Sequence, residues 1–249
     1  MKNGKRCTAI LLAAGTGRRM GSNIAKQYML LCDKPVIWYG LQAFETSEVI
    51  DDVILVTGKD EVDYVQKEIV EKYGFSKVVC VIAGGAERYL SVQNALRAIE
   101  EDTLDEPNRD GYVFIHDGAR PLVTEKIIED TFEAAKEHGA CCAAVPVKDT
   151  IKLADDKGFV ATTPDRSRLY AVQTPQTFAV PLILKAYKLL AEKSEELKEA
   201  GIQITDDAMV VETMLNHPVK LVEASYENIK ITTPEDMEVA KRFLDGRMK

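Results

Sequence analysis

No apolar run in this 249-residue chain reaches the length of a membrane-spanning helix, which excludes a bilayer protein of that kind. The basic opening, Met-Lys-Asn-Gly-Lys-Arg, is followed by an apolar stretch too short for a signal peptide. Positive charge is in deficit: the formal net charge is −8, which argues against a nucleic-acid binder or an anionic-membrane binder. The five cysteines (7, 32, 80, 141 and 142) contain no Cys-x-x-Cys spacing, leaving buried free thiols in a reducing cytoplasm as their reading. Internal repeats, long linkers and low-complexity tracts are also missing. Two familiar phosphate loops are absent as well. No Gly-x4-Gly-Lys-Ser/Thr run occurs, and the dinucleotide fingerprint fails at position 20, where Met stands in place of the third glycine.

What is present fits one α/β domain of ordinary size, with 46% hydrophobic and 29% charged residues, the balance of a globular protein with an ample core. The chain is organised around Cys7-Thr-Ala-Ile-Leu-Leu-Ala-Ala-Gly15-Thr-Gly17-Arg-Arg19-Met-Gly21, followed by Lys26. A short apolar run without polar alternation reads as a strand buried on both faces, hence a parallel sheet. It breaks into small residues that bare the backbone, with Arg18, Arg19 and Lys26 close behind. That combination describes an anion site, with polyphosphate as the anion. A tight turn with surface arginines is the plainer alternative.

Downstream the chain alternates in type. Helices are expected over 35–47, 61–73, 124–138 and 181–200, with another that follows Gly84–Val92 and ends near Ile99; strands over 52–57, 77–82, 112–116 and 141–147. A doubly wound, mostly parallel Rossmann-like sheet follows, whose ligands sit beyond the carboxyl ends of the strands. Gly84-Gly85 bares the backbone at one such end. Ser91 there either meets a polar ligand edge or caps the next helix, and Arg88 reads as a surface salt-bridge partner. Asp117, directly after the strand over 112–116, is placed to hold Mg²⁺ or to accept loop hydrogen bonds; Arg120 is a candidate phosphate clamp, and His116 a packed strand-end residue. The rhythm fails from 148 to 172, where two polar strands flank a turn at Asp155-Asp-Lys-Gly158. The expected organisation is a core of 1–147 and 173–249, with a protruding β-hairpin arm of 148–172 that packs on another subunit. Thr205 or Asp206 caps a further helix, and Asn228 to Thr232 reads as a strand before the helix start at Thr233-Pro234.

Taken together, these residues resemble the 2-C-methyl-D-erythritol 4-phosphate cytidylyltransferases of the non-mevalonate isoprenoid pathway. The resemblance is carried by Ala13-Ala-Gly-Thr-Gly-Arg-Arg-Met20, Lys26-Gln-Tyr28, Gly84-Gly-x-x-Arg88-x-x-Ser91-Val92, His116-Asp-Gly-Ala-Arg-Pro121, Asp149-Thr-Ile-Lys152, Thr174-Pro-Gln176, Thr205-Asp206 and Asn228-Ile-Lys-Ile-Thr232. It implies transfer of CMP from CTP to methylerythritol phosphate with release of pyrophosphate, a divalent metal such as Mg²⁺, and a cytoplasmic homodimer joined through the arm. It further implies Arg19, Lys26 and Lys230 as catalytic residues. Ala13, Ala14, Gly15, Gly17, Gly85 and Ser91 would bind the nucleotide. Asp117, Arg120, Thr150, Arg166, Thr174 and Thr205 would bind substrate, with Asp117 also beside the metal and Thr150 and Arg166 reaching the partner's site. Some members carry Asp where this chain has Ala86, so any base contact of that side chain is lost. The sister ribitol-5-phosphate cytidylyltransferases are the alternative enzyme, and a nucleotide-binding module without catalysis the alternative of another class.

Overall fold

A computed structural model of the chain describes residues 4–15, 25–101 and 108–247. Its centre is a seven-stranded sheet. Strand β1 (Cys7–Leu12) is followed by a small ribbon, β2 (Leu30–Leu31) with β3 (Lys34–Pro35), and by helix α1 (Val36–Thr46). Next come β4 (Asp52–Thr57), α2 (Val62–Val65) continuing as a π-helical stretch (Gln66–Glu71), β5 (Val78–Ala83) and α3 (Arg88–Glu100). The second half holds β6 (Tyr112–Asp117), α4 (Glu125–His138) and β7 (Ala140–Pro146). The short pair β8 (Leu153–Ala154) and β9 (Val160–Thr162) precedes β10 (Tyr170–Ala179), α5 (Val180–Glu199), α6 (Asp207–Leu215), β11 (Lys220–Glu223) and α7 (Pro234–Arg247).

The sheet order is β11-β7-β10-β6-β1-β4-β5, with β1 parallel to both β4 and β6. Successive strand residues point to opposite faces, so an unbroken apolar run serves two cores at once. Ala9, Leu11, Leu55 and Phe114 enter the layer with α1 and α4. Ile10, Ile54, Val113 and Ile115 enter the layer with α3, α5 and α6. Helix ends follow local chemistry. Thr124 caps α4 through its side chain, and Gly139 ends it at φ 76°, a left-handed conformation glycine adopts without penalty. Asp206, rather than Thr205, caps α6 by accepting from Met209 N at 2.9 Å.

Four expectations change. Residues 170–179 form a full strand, β10, inserted antiparallel between β6 and β7. The chain leaves β7 into the arm and returns without a crossover helix, so it can only come back antiparallel. Residues 228–232 are no strand: the segment lies across loops, with Ile231 N donating to Ala119 O at 2.8 Å. All five cysteines are free, but Cys32 is exposed and Cys80 only partly covered, so burial holds for Cys7, Cys141 and Cys142. The paired strands within the arm are shorter than the sequence suggests, joining only Leu153 and Ala154 to residues 160–162.

Candidate active site

The winding sets the place of the site. From β1 the chain proceeds outward through β4 and β5, then returns to lay β6 on the opposite side of β1. Loops diverge at that switch point and leave a crevice beyond the strands' carboxyl ends. There the structure has a cleft of about 590 Å³, lined by Leu12, Ala13, Ala14, Gly15, Lys26, Gln27, Gly85, Ala86, Glu87, Arg88, Ser91, Asp117, Ala119 and Lys230. Eight of the residues singled out from sequence thus meet around one space: Ala13, Ala14, Gly15, Lys26, Gly85, Ser91, Asp117 and Lys230.

The loop after β1 is held by a side chain to which sequence reasoning assigned no role. Buried Gln27 donates from Nε2 to Ala13 O at 2.5 Å and to Gly15 O at 3.0 Å. Its place beside Lys26 in the Lys-Gln-Tyr run was the available signal. The Gly-Gly loop is closed from behind by Ser91, whose hydroxyl accepts from Gly85 N at 3.0 Å and donates to Glu87 O at 3.2 Å. Ser91 lies inside α3 and so does not cap it. A Cβ added at Gly84 would stand 2.5 Å from Ala14 Cβ and 2.7 Å from Ser91 Oγ. Gly84→Ala is therefore expected to push the two loops apart, costing about 1–3 kcal/mol of stability. The variant's chemical denaturation and melting curve check this. Wild-type stability would show that the loops tolerate separation.

The floor of the cleft is electrostatic. Asp117 Oδ2 lies 2.8 Å from Lys230 Nζ, and Asp117 Oδ1 lies 3.3 Å from Arg88 Nε. Burial opposes ionisation of Asp117, but Arg88 and Lys230 outweigh it and hold the carboxyl well below the usual carboxylate range. Arg88 is no surface partner: its Nη2 also lies 2.7 Å from the fully buried Asp207. Lys26 Nζ donates to Ile231 O at 2.8 Å, tying the first loop's cation to the segment that carries Lys230. His116 is a packed residue, edge-on to Phe44. Its Nε2 donates to Arg120 O at 3.1 Å, so Nδ1 accepts from Thr174 Oγ1 at 3.0 Å, and Thr174 Oγ1 in turn accepts from Asp117 N. Burial drives the His116 pKa down to about 4, keeping this ring neutral.

Other expected residues lie outside this lining. The Thr174 hydroxyl is committed to His116 and the Asp117 backbone. Half-buried Arg120 donates from Nη1 to Asn228 O at 2.7 Å. Thr205 lines an adjoining recess of about 250 Å³ that shares Glu87 and Arg88 with the cleft. Thr150 and Arg166 are exposed on the arm, where Arg166 Nη1 donates to Lys148 O at 3.0 Å. Gly17 and Arg19 fall outside the described residues. Within the described residues no helix is long and apolar enough to cross a membrane.

A family model for 2-C-methyl-D-erythritol 4-phosphate cytidylyltransferase, IspD, matches residues 7–246. The chain belongs to this family. The 2-C-methyl-D-erythritol 4-phosphate cytidylyltransferase of Lachnospira eligens is 49% identical over 239 residues, covering 96% of this chain and 99% of that one. The protein of the same name from Lachnoclostridium phytofermentans is 46% identical over 240 residues, covering 96% and 97%. Among solved structures, 4-diphosphocytidyl-2C-methyl-D-erythritol synthase of Anaerococcus prevotii superposes with a TM-score of 0.79 at 32% identity, covering 98% of this chain and 100% of that one. The cytidylyltransferase family thus accounts for the α/β fold and for nearly the whole length of the chain.

Proposed function

We propose that the protein transfers CMP from CTP to 2-C-methyl-D-erythritol 4-phosphate, releasing pyrophosphate, in isoprenoid precursor biosynthesis. The observation that carries this reading is the convergence of Lys26, Lys230, Asp117 and the two small-residue loops on one cleft. The methylerythritol phosphate oxygen attacks the α-phosphorus of CTP. A phosphorus–oxygen bond forms there as the bond to the β-phosphate oxygen breaks, and the electron pair leaves with pyrophosphate. The attacking phosphate is already ionised, so no proton-abstracting base is required, in keeping with His116 being packed away. The enzyme's task is to bring two anions together and neutralise the charge that shifts between them.

In this reading Lys26, with Arg19, meets the triphosphate and the developing charge, and Lys230 supports the α-phosphate. Ala13, Ala14, Gly85 and Ser91 enclose cytidine, and Gly15 and Gly17 bare the backbone to phosphate. Asp117, Arg120, Thr174 and Thr205 shape the acceptor side. Among the described residues no group of three or more His, Cys, Asp or Glu could hold a metal. Two carboxylates line the cleft, Asp117 and Glu87. That donor set fits Mg²⁺, which takes one or two carboxylates and fills its shell with substrate phosphates and water. When bound to Asp117, Mg²⁺ would neutralise triphosphate charge. A cytoplasmic location accords with the free thiols.

The assignment is tested by pyrophosphate release from CTP with methylerythritol phosphate or ribitol 5-phosphate as acceptor. Turnover with the first alone is expected; preference for the second would overturn the substrate, and no release with either would overturn the reaction.

The same proposal makes the enzyme a homodimer through the arm, residues 148–172 standing out from a core of 1–147 and 173–249. Phe159 on that arm is 70% exposed and Val160 61%, apolar area with no cover in a single chain. Arg166 would then reach the partner's cleft, where its planar fork suits a substrate phosphate. Mixing Arg166→Ala with Lys26→Ala subunits, each inactive alone, yields heterodimers with one undamaged site. Activity is expected to return to about half of wild type per heterodimer. Heterodimers that stay inactive would place Arg166 outside the partner's site.

A further inference from the structure

Arg88 is held between a carboxylate that lines the cleft, Asp117, and one behind it that does not, Asp207. Its Nε faces Asp117 Oδ1 at 3.3 Å, and its Nη2 lies 2.7 Å from Asp207 Oδ2. The other oxygen of Asp207 accepts from the Tyr187 hydroxyl at 2.6 Å. Asp207 opens α6 and is fully buried; Tyr187 sits in the middle of α5 and is 2% exposed. A file of hydrogen bonds and ion pairs therefore runs Tyr187–Asp207–Arg88–Asp117–Lys230, from the helical layer to the floor of the cleft.

Packing alone does not ask for a hydroxyl at 187. The ring lies among Leu190, Val210 and Val211 in the apolar layer, where phenylalanine would fill the same space. The carboxylate of Asp207 does need it, because a buried carboxylate requires partners on both oxygens. One guanidinium here serves two carboxylates, Asp117 through Nε and Asp207 through Nη2. Without the phenol, Asp207 Oδ1 would lose its 2.6 Å partner, and the carboxylate that meets Arg88 would be held on one side only.

We propose that Tyr187 and Asp207 are positioning residues for the transfer reaction, fixing the Arg88 plane so that Asp117 is aimed into the phosphate end of the cleft. This rests on the cytidylyl-transfer reading of the site. Supporting it, burial and then the Asp207 charge push the Tyr187 phenol well above its ordinary pKa, so it stays a donor.

The test measures kcat, KM and melting for wild type, Tyr187→Phe, Arg88→Lys and the double variant, with CTP and methylerythritol phosphate. Tyr187→Phe is expected to lower kcat about tenfold, as losses of supporting partners commonly do, with KM for CTP little changed. In the Arg88→Lys background the same substitution is expected to change kcat by less than about twofold, since the plane it aligns is gone. Asp207→Asn, which keeps volume and removes the charge facing Arg88, is to behave alike and stands in if Tyr187→Phe does not fold. Equal kcat for wild type and Tyr187→Phe, or losses that multiply in the double variant, would overturn the positioning role. A wild type without turnover would instead overturn the reaction assigned above, and this inference with it.

Discussion

Lys26→Ala is expected to lower kcat by about 10²–10³ while leaving the melting midpoint close to wild type, the loss typical of removing one donor that meets transition-state charge. Lys26 opens a short 3-10 turn, Lys26–Tyr28, directly beside the loop after β1. Its Nζ donates to Ile231 O at 2.8 Å, and the neighbouring Lys230 pairs with Asp117. Alanine therefore removes a cation from the cleft and also unties the segment carrying a second one. Neither loss touches the apolar layers, because Tyr28 and Gln27 remain to anchor the turn. Pyrophosphate release at saturating CTP and acceptor reads the effect. A kcat within roughly threefold of wild type would remove Lys26 from the chemistry.

Phe114→Ala is expected to act on stability, lowering it by about 3–5 kcal/mol, the usual loss for a large aromatic in a core that cannot collapse. Phe114 is fully buried on β6, between β1 and β10, and stacks on Phe132 of α4 with ring centroids 6.5 Å apart and planes 25° apart. Sheet hydrogen bonds fix the strand in place, so its backbone cannot move to fill the cavity. For a chain of this size the melting midpoint is expected to fall by about 6–20 °C. Chemical denaturation checks the free energy independently. A loss below about 1 kcal/mol would mean that α4 repacks onto the strand.

Phe114 and Lys26 illustrate two grades of legibility. The strand holding Phe114 is visible as an apolar run, since a sheet covered on both faces leaves no polar alternation. Lys26 stands in a compact motif with a glycine-rich loop, and so do Asp117 after its strand and Lys230 between two isoleucines. Arg88 is the counter-example. Its local surroundings, Ala-Glu-Arg-Tyr at a helix start, read as a surface ion pair; the two carboxylates that hold it arrive from β6 and α6. Gln27 stands in the same motif as Lys26, but its role was hidden, because its partners are carbonyls, and carbonyls carry no sequence signal. The segment 228–232 looks like a strand by alternation, yet its backbone bonds to a loop instead of to a sheet edge.

By itself the sequence determined the strand–helix alternation, the helix start at Thr233-Pro234, the hairpin turn of the arm, and the loops on which the site would stand. These are local properties: side-chain periodicity, dihedral preference and short-range capping act within a few residues. Only the tertiary structure decided the antiparallel insertion of β10 and the sharing of Arg88 between Asp117 and Asp207. It likewise decided the tie between Lys26 and a carbonyl 205 residues away. Such contacts depend on how packed layers bring distant loops to one switch point, and partners so far apart leave no periodicity in the chain that could announce them.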